Sequence, residues 1–116
     1  MSMHIDDYEF GRISVGGKQY ASDVIIRPDG VTDNWWRQEG HRLNIADLTE
    51  VLNGNPQILI VGTGFYGRMQ VPQTTLEQLQ QHGIRVESFK TQQAVQEFNR
   101  LQQGCDNVVA ALHLTC

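Results

Sequence analysis

A chain of 116 residues, 40% hydrophobic and 19% charged, is long enough to bury one core and too short for two domains of ordinary size. Its net charge of −4, with the basic residues scattered, leaves no electrostatic footprint for nucleic acid or an anionic membrane. The longest apolar runs, Ile58 to Val61 and Val108 to Leu112, fall far below the roughly 20 residues of a membrane span.

From Tyr8 to Val15 the chain alternates imperfectly, as a first strand would, and Val15-Gly16-Gly17-Lys18 predicts a hairpin returning through Gln19 to Ala21. Val24-Ile25-Ile26 is stopped by Arg27-Pro28-Asp29-Gly30, where Pro fixes φ and Gly accepts a positive one. A second hairpin is expected there, with Val31 to Trp36 as its outgoing strand. In Asn44-Ile45-Ala46-Asp47 a cap residue precedes an acid three positions on, and Ile45, Leu48, Val51 and Leu52 recur at helical spacing until Asn53-Gly54 closes the helix.

Ile58-Leu59-Ile60-Val61 then reads as a buried strand emptying into Gly62, Gly64 and Gly67. No helix follows directly, because Arg68-Met69-Gln70-Val71-Pro72 intervenes, so a dinucleotide pyrophosphate would find no helix N-terminus. Thr74-Thr75-Leu76-Glu77 has the capping-box pattern, Leu76 and Leu79 mark one helix face, and Gly83 ends the helix before a strand from Ile84 to Phe89. Thr91 is expected to cap a last helix with Ala94, Val95, Phe98 and Leu101 on one stripe, followed by Gly104 and a strand from Val108 to Leu114. Together these elements predict an α/β protein of mixed α+β character. A single domain over residues 1–116 holds a mixed sheet, N-terminal β-hairpins and about three helices packed on one of its faces. The hairpins either extend that sheet or cover its other side.

Each group of residues suited to chemistry has a structural counterpart. The glycine turn reads either as a ligand loop, with the Thr63 hydroxyl and Arg68 guanidinium as anion contacts, or as a tight turn at a strand end. Trp35 and Trp36 adjoin Arg37, so on a strand one indole points inward and the other outward, where it can stack on Arg37 or meet a partner. The alternative is one core and one rim tryptophan. His4, His41, His82 and His113 lack zinc-ligand spacing, and Cys105 and Cys116 form neither a CxxC pair nor a disulfide framework, so no metal and no cofactor is expected. His113 near Cys116 invites a Cys-His nucleophile, but their opposite parity on a continuing strand sends the side chains apart. No catalytic residue is assigned. The acidic start Met1-Ser2-Met3-His4-Ile5-Asp6-Asp7 lacks the hydrophobic segment of a signal peptide, so a cytoplasmic location is expected.

The succession Arg27-Pro28-Asp29-Gly30, Trp36-Arg37, Val61-Gly62-Thr63-Gly64, Val71-Pro72, Leu79, His82-Gly83-Ile84, Thr91, Ala94-Val95, Asn99, Leu101 and His113-Leu114-Thr115-Cys116 resembles one family of small α/β proteins. It is the domain-of-unknown-function family that includes an archaeal structural-genomics protein, the mitochondrial complex I assembly factor 3 and a cytosolic adipogenesis-associated protein. The likeness covers nearly the whole chain and runs closest to the cytosolic branch. It implies a compact mixed-sheet domain without demonstrated catalysis, and for some eukaryotic relatives a role exercised through protein partners. Gly67 is not part of the family pattern, and Gly104-Cys105-Asp106-Asn107 replaces a basic residue that many relatives carry after the last helix.

Two functions of different class follow. The leading one is a non-catalytic binding, assembly or regulatory module that meets a protein partner through a surface around Trp35, Trp36, Tyr66 and the Gly62 to Arg68 loop. The other is a pocket or weak enzyme for an anionic small molecule, built from Gly62, Thr63, Gly64, Arg68, Asn99 and His113. Nucleic acid and membrane insertion are not expected, and a homo-oligomer is compatible with either.

Overall fold

Gly11 divides the stretch from Tyr8 to Val15 into two strands. In the computed structural model, which describes residues 3–104 and 107–116, β1 (Ile5–Glu9) turns back into β2 (Arg12–Val15) with Glu9 opposite Arg12. Gly11 takes φ +78° in the turn, a conformation that a Cβ disfavours. The imperfect alternation at Phe10 and Gly11 was this turn. β3 (Lys18–Tyr20) follows through Gly16 and Gly17, both at positive φ, as the primed hairpin turn requires. These strands form their own antiparallel sheet in the order β1-β2-β3.

The second hairpin, β4 (Val24–Arg27) and β5 (Gly30–Thr32), joins the larger sheet, whose order is β5-β4-β8-β6-β7. β5 stops at Thr32, so the expected strand through Trp36 is not formed: Asn34 turns left-handed at φ +52°. β6 (Ile58–Thr63) and β8 (Val108–His113) run parallel in the middle and are buried at every position but Thr63. That explains their unbroken apolar runs. β7 (Arg85–Phe89) is the parallel edge strand, and β4 meets β8 antiparallel, which makes the sheet mixed.

A 3-10 turn, Ile45–Leu48, leads into α1 (Thr49–Gly54). The Asp47 carboxylate accepts the Asn44 N–H at 2.9 Å, and the left-handed residue that ends α1 is Asn55. α2 (Gln73–Gln81) begins behind Pro72 without a side-chain cap. Thr74, the expected capping threonine, thus lies inside the helix, and its neighbour Thr75 donates its hydroxyl to the Leu43 carbonyl at 2.9 Å. α3 (Thr91–Gln102) carries the predicted stripe.

The helices do not share a face, contrary to the expectation from their spacing. The chain moves outward from β6 to β7 through α2 and back past β6 to β8 through α3. Right-handed crossovers in opposite directions put their helices on opposite sides of a sheet. Accordingly Leu79 of α2, with Leu48 and Val51, packs on Leu59, Val61, Val109 and Ala111. Ala94, Val95 and Phe98 of α3 pack with Ile5, Ile13 and Val15 of the small sheet on Ile58, Ile60, Ala110 and Leu112. One hairpin therefore extends the sheet and the other helps to cover it. Among the described residues no helix is long and apolar enough to cross a membrane.

Candidate functional site

Where β6 ends, the glycines admit close neighbours, and those neighbours belong to the chain itself. A Cβ on Gly62 would stand 2.8 Å from both Leu112 Cδ2 and Thr91 Oγ1. Gly64, at φ +109°, would bring a Cβ to 2.5 Å from the backbone oxygen of Cys116. Five of the turn's donors are engaged as well. Gly64 N–H donates to Thr91 Oγ1 at 2.8 Å, Phe65 N–H to Thr115 O at 2.6 Å, Gly67 N–H to Gly64 O, Arg68 N–H to Cys116 O at 3.3 Å and Met69 N–H to Thr63 O. The Thr63 hydroxyl donates to Phe89 O at 3.0 Å. An anion cradle needs convergent free N–H groups, and here the segment after β8 takes that place.

The ends of the central strands also carry a buried polar cluster. Alternation along β8 turns His113 to the α2 side of the sheet, as it does Val109 and Ala111. There His113 Nδ1 lies 2.8 Å from Asp23 Oδ2, Arg37 Nη2 donates to the same oxygen at 2.8 Å, and Asp23 Oδ1 accepts the Leu114 N–H at 2.7 Å. Burial pushes the Asp23 carboxyl up, but hydrogen bonds from His113, Leu114 and Arg37 outweigh it and hold the group below its ordinary value. Arg37 Nη2 also lies 3.0 Å from His113 Nδ1, so the three side chains converge on one point. Arg37 lies 4.7 Å from the Trp35 ring centre, and His41 stands edge-on to His113 with ring centres 5.7 Å apart. His113 Nε2 and Arg37 Nη1 are buried without a hydrogen bond among the described residues. The Asp23–His113 pair has the geometry that orients a base. No hydroxyl or thiol is hydrogen-bonded to it among the described residues.

Beside the glycine turn the surface is aromatic. Phe65 and Tyr66 have ring centres 5.1 Å apart, and Phe10, from the β1–β2 turn, lies 5.7 Å from Phe65 and 6.2 Å from Tyr66. Phe10, Phe65 and Tyr66 are 50%, 38% and 57% exposed. The Arg68 guanidinium stands 5.7 Å from the Tyr66 ring centre.

The predicted residues are thus distributed over several places. Gly62, Thr63, Gly64 and Arg68 are contiguous, and His113 is the β8 partner of Thr63, yet its side chain belongs to the Asp23–Arg37 cluster. Asn99 is on the other side of the sheet, where its amide takes the Ile5 N–H at 2.9 Å and donates to Ile5 O at 2.8 Å. Of the partner surface, Trp35 is a core residue whose indole N–H donates to Asp47 O at 3.0 Å. Trp36 is 84% exposed, and Arg37 stacks on the buried indole rather than on this one. Tyr66 has Phe10 and Phe65 as its aromatic neighbours, not the tryptophans. A cleft of about 780 Å³ between the β4–β5 turn and α1, lined by Arg27, Asp29, Glu50 and Asn107 among others, contains none of the predicted ligand residues. The departure at Gly104-Cys105-Asp106-Asn107 includes Cys105 and Asp106, which lie outside the described residues.

Sequence reasoning missed Phe10, Phe65, Asp23 and the burial of Thr91. Two signals were present: an aromatic beside a turn glycine at Phe10-Gly11, and adjacent aromatics in a polar loop at Phe65-Tyr66.

A mixed five-stranded sheet, helices on both faces and a segment folded over the glycine turn define a small α/β domain. The chain belongs to the family described as protein of unknown function DUF498/DUF598, whose sequence profile matches residues 5–113. Its structure is similar to that of the conserved hypothetical protein PH1505 from Pyrococcus horikoshii, at 25% identity and a TM-score of 0.82 over 98% of this chain and 100% of that one. It is similar also to MT938, at 26% identity and a TM-score of 0.80 over 99% of this chain and 100% of that one. A Mth938-like domain from Bordetella pertussis matches at 22% identity with a TM-score of 0.78, over 97% of this chain and 85% of that one, a likeness of fold alone.

Proposed function

We propose that this protein is a non-catalytic binding or assembly module that holds a protein partner on the surface formed by Phe10, Phe65 and Tyr66. The observation that carries this reading is the contiguity of three half-exposed rings, brought together from the β1–β2 turn and the loop after β6. Exposed aromatic groups of this kind mark interaction sites more often than scattered single residues do. The resemblance to the complex I assembly factor and to the adipogenesis-associated protein supports the same reading. Against an anionic ligand in the Gly62-Thr63-Gly64 turn stand the engaged N–H groups of that turn and the remote position of Asn99.

The test is co-purification from native cell extract with wild-type protein and a Phe10→Ser/Tyr66→Ser variant as baits, read by mass spectrometry. A stoichiometric protein is expected with wild type and not with the variant. Its absence from both, or equal recovery by both, removes the reading.

A further inference from the structure

Arg68 belongs to two features at once. Its guanidinium faces the Tyr66 ring, and it lines an open trough of about 590 Å³ together with Glu39, His41, Arg42 and Gln70. In a protein of net charge −4, this trough has two arginines and a histidine against one carboxylate. That carboxylate is already engaged: Glu39 lies 3.7 Å from Arg42 Nε and accepts from the Asn44 amide at 3.3 Å. Arg68 forms no ion pair among the described residues. The Lys90 stem passes beside Gly67, adding a further basic side chain at the edge of the loop.

All five trough-lining side chains are exposed, so the trough does not enclose a small molecule. It suits acidic groups presented by a larger one. Guanidinium groups favour carboxylates through paired N–H donors, and complementary charge beside an apolar surface fixes the register of a partner. From this charge complementarity and its continuity with the aromatic surface, we infer that the partner presents an acidic protein segment. Its Asp or Glu side chains seat against Arg42, Arg68 and His41 while a neighbouring apolar side chain packs on Phe10, Phe65 and Tyr66. The inference rests on the reading of the aromatic surface given above and specifies its partner's chemistry.

A random linear peptide library displayed on phage and selected on the immobilised full-length protein tests it. The expected peptides combine Asp or Glu with an adjacent aromatic or aliphatic residue. They bind an Arg42→Gln/Arg68→Gln variant about tenfold more weakly than wild type. They are also displaced as salt rises toward 1 M, where the screening length is about 3 Å. Peptides without carboxylates, basic peptides, or binding indifferent to Arg42 and Arg68 overturn the inference. If such peptides still require Phe10 and Tyr66, the acidic partner alone falls. If no selected peptide depends on Phe10 or Tyr66, the aromatic reading falls with it. A molecular mass that rises with concentration and drops in Tyr66→Ser makes a second copy the occupant and also overturns the inference. Thermal unfolding of each variant verifies that the fold is retained.

Discussion

The hydroxyl of Thr91 donates to the carbonyl of His113 at 2.6 Å and accepts the N–H of Gly64 at 2.8 Å. One fully buried side chain at the start of α3 thereby ties the end of β8 to the turn after β6. Valine has nearly the same shape and neither hydrogen bond, so Thr91→Val leaves a buried donor and a buried acceptor unpaired. The expected loss is about 2 kcal/mol, measured by urea unfolding. Thr91→Ser keeps the hydroxyl and is expected to lose less than about 1 kcal/mol. Equal losses would show that the methyl group, not the hydrogen bonds, matters there.

The three glycines of the turn are expected to differ in their tolerance of alanine. At Gly64 the positive φ and the Cys116 backbone oxygen act together, and backbone cannot swing away as a side chain can. Gly64→Ala should cost about 3 kcal/mol or more. Gly62→Ala is set against Leu112 and the Thr91 hydroxyl at ordinary φ and should cost about 2 kcal/mol. At Gly67 the one tight neighbour is the flexible Lys90 stem, at 3.1 Å, with Thr63 Oγ1 at an ordinary 3.6 Å, so its cost is that of φ +72°, about 1 kcal/mol. Denaturant midpoints of the three variants give the order directly.

How far the sequence could be read depended on whether a feature was local. Hairpin turns at Gly16-Gly17 and Pro28-Asp29-Gly30, the apolar runs of β6 and β8, and the α3 stripe are set by neighbouring residues and appear where expected. The Asp23–Arg37–His113 cluster joins positions up to 90 residues apart, and nothing in the periodicity around Asp23 announces it. Thr91 has the residue type of a cap, yet it is the first residue of α3, behind Lys90, and tertiary packing gives its hydroxyl other partners. The glycine turn was legible as a place of close approach. What approaches it, the segment from Leu114 to Cys116, depends on how β8 enters the sheet. Trp35 and Trp36 were legible as an inward and outward pair, but the turn at Asn34 removed the strand that would have aligned them.

Asp23 should make stability depend on acid. Its folded pKa is lowered, so its contribution is fully present above the unfolded value of about 4 and is lost as pH falls through the folded one. Asp23→Asn leaves Arg37 buried without its countercharge and is expected to cost about 3 kcal/mol near neutral pH. That difference from wild type should shrink steadily once the pH is below about 4. Thermal melts of both proteins across the acid range provide the measurement, and a difference independent of pH would separate the stability of this cluster from the Asp23 charge.

Tyr8 works in the opposite direction. Its hydroxyl donates to Leu114 O at 2.8 Å, and burial, opposed by the Thr91 hydroxyl and reinforced by the Asp23 charge, pushes its pKa up to about 12. A raised folded value means that the contribution is complete below the unfolded pKa of about 10 and is lost as pH rises through the folded one. The tyrosinate absorbance at 295 nm should therefore show a component that rises near pH 12 in protein that is still folded. Tyr8→Phe should abolish that component. A component near pH 12 that survives in Tyr8→Phe removes the burial of Tyr8 as its source.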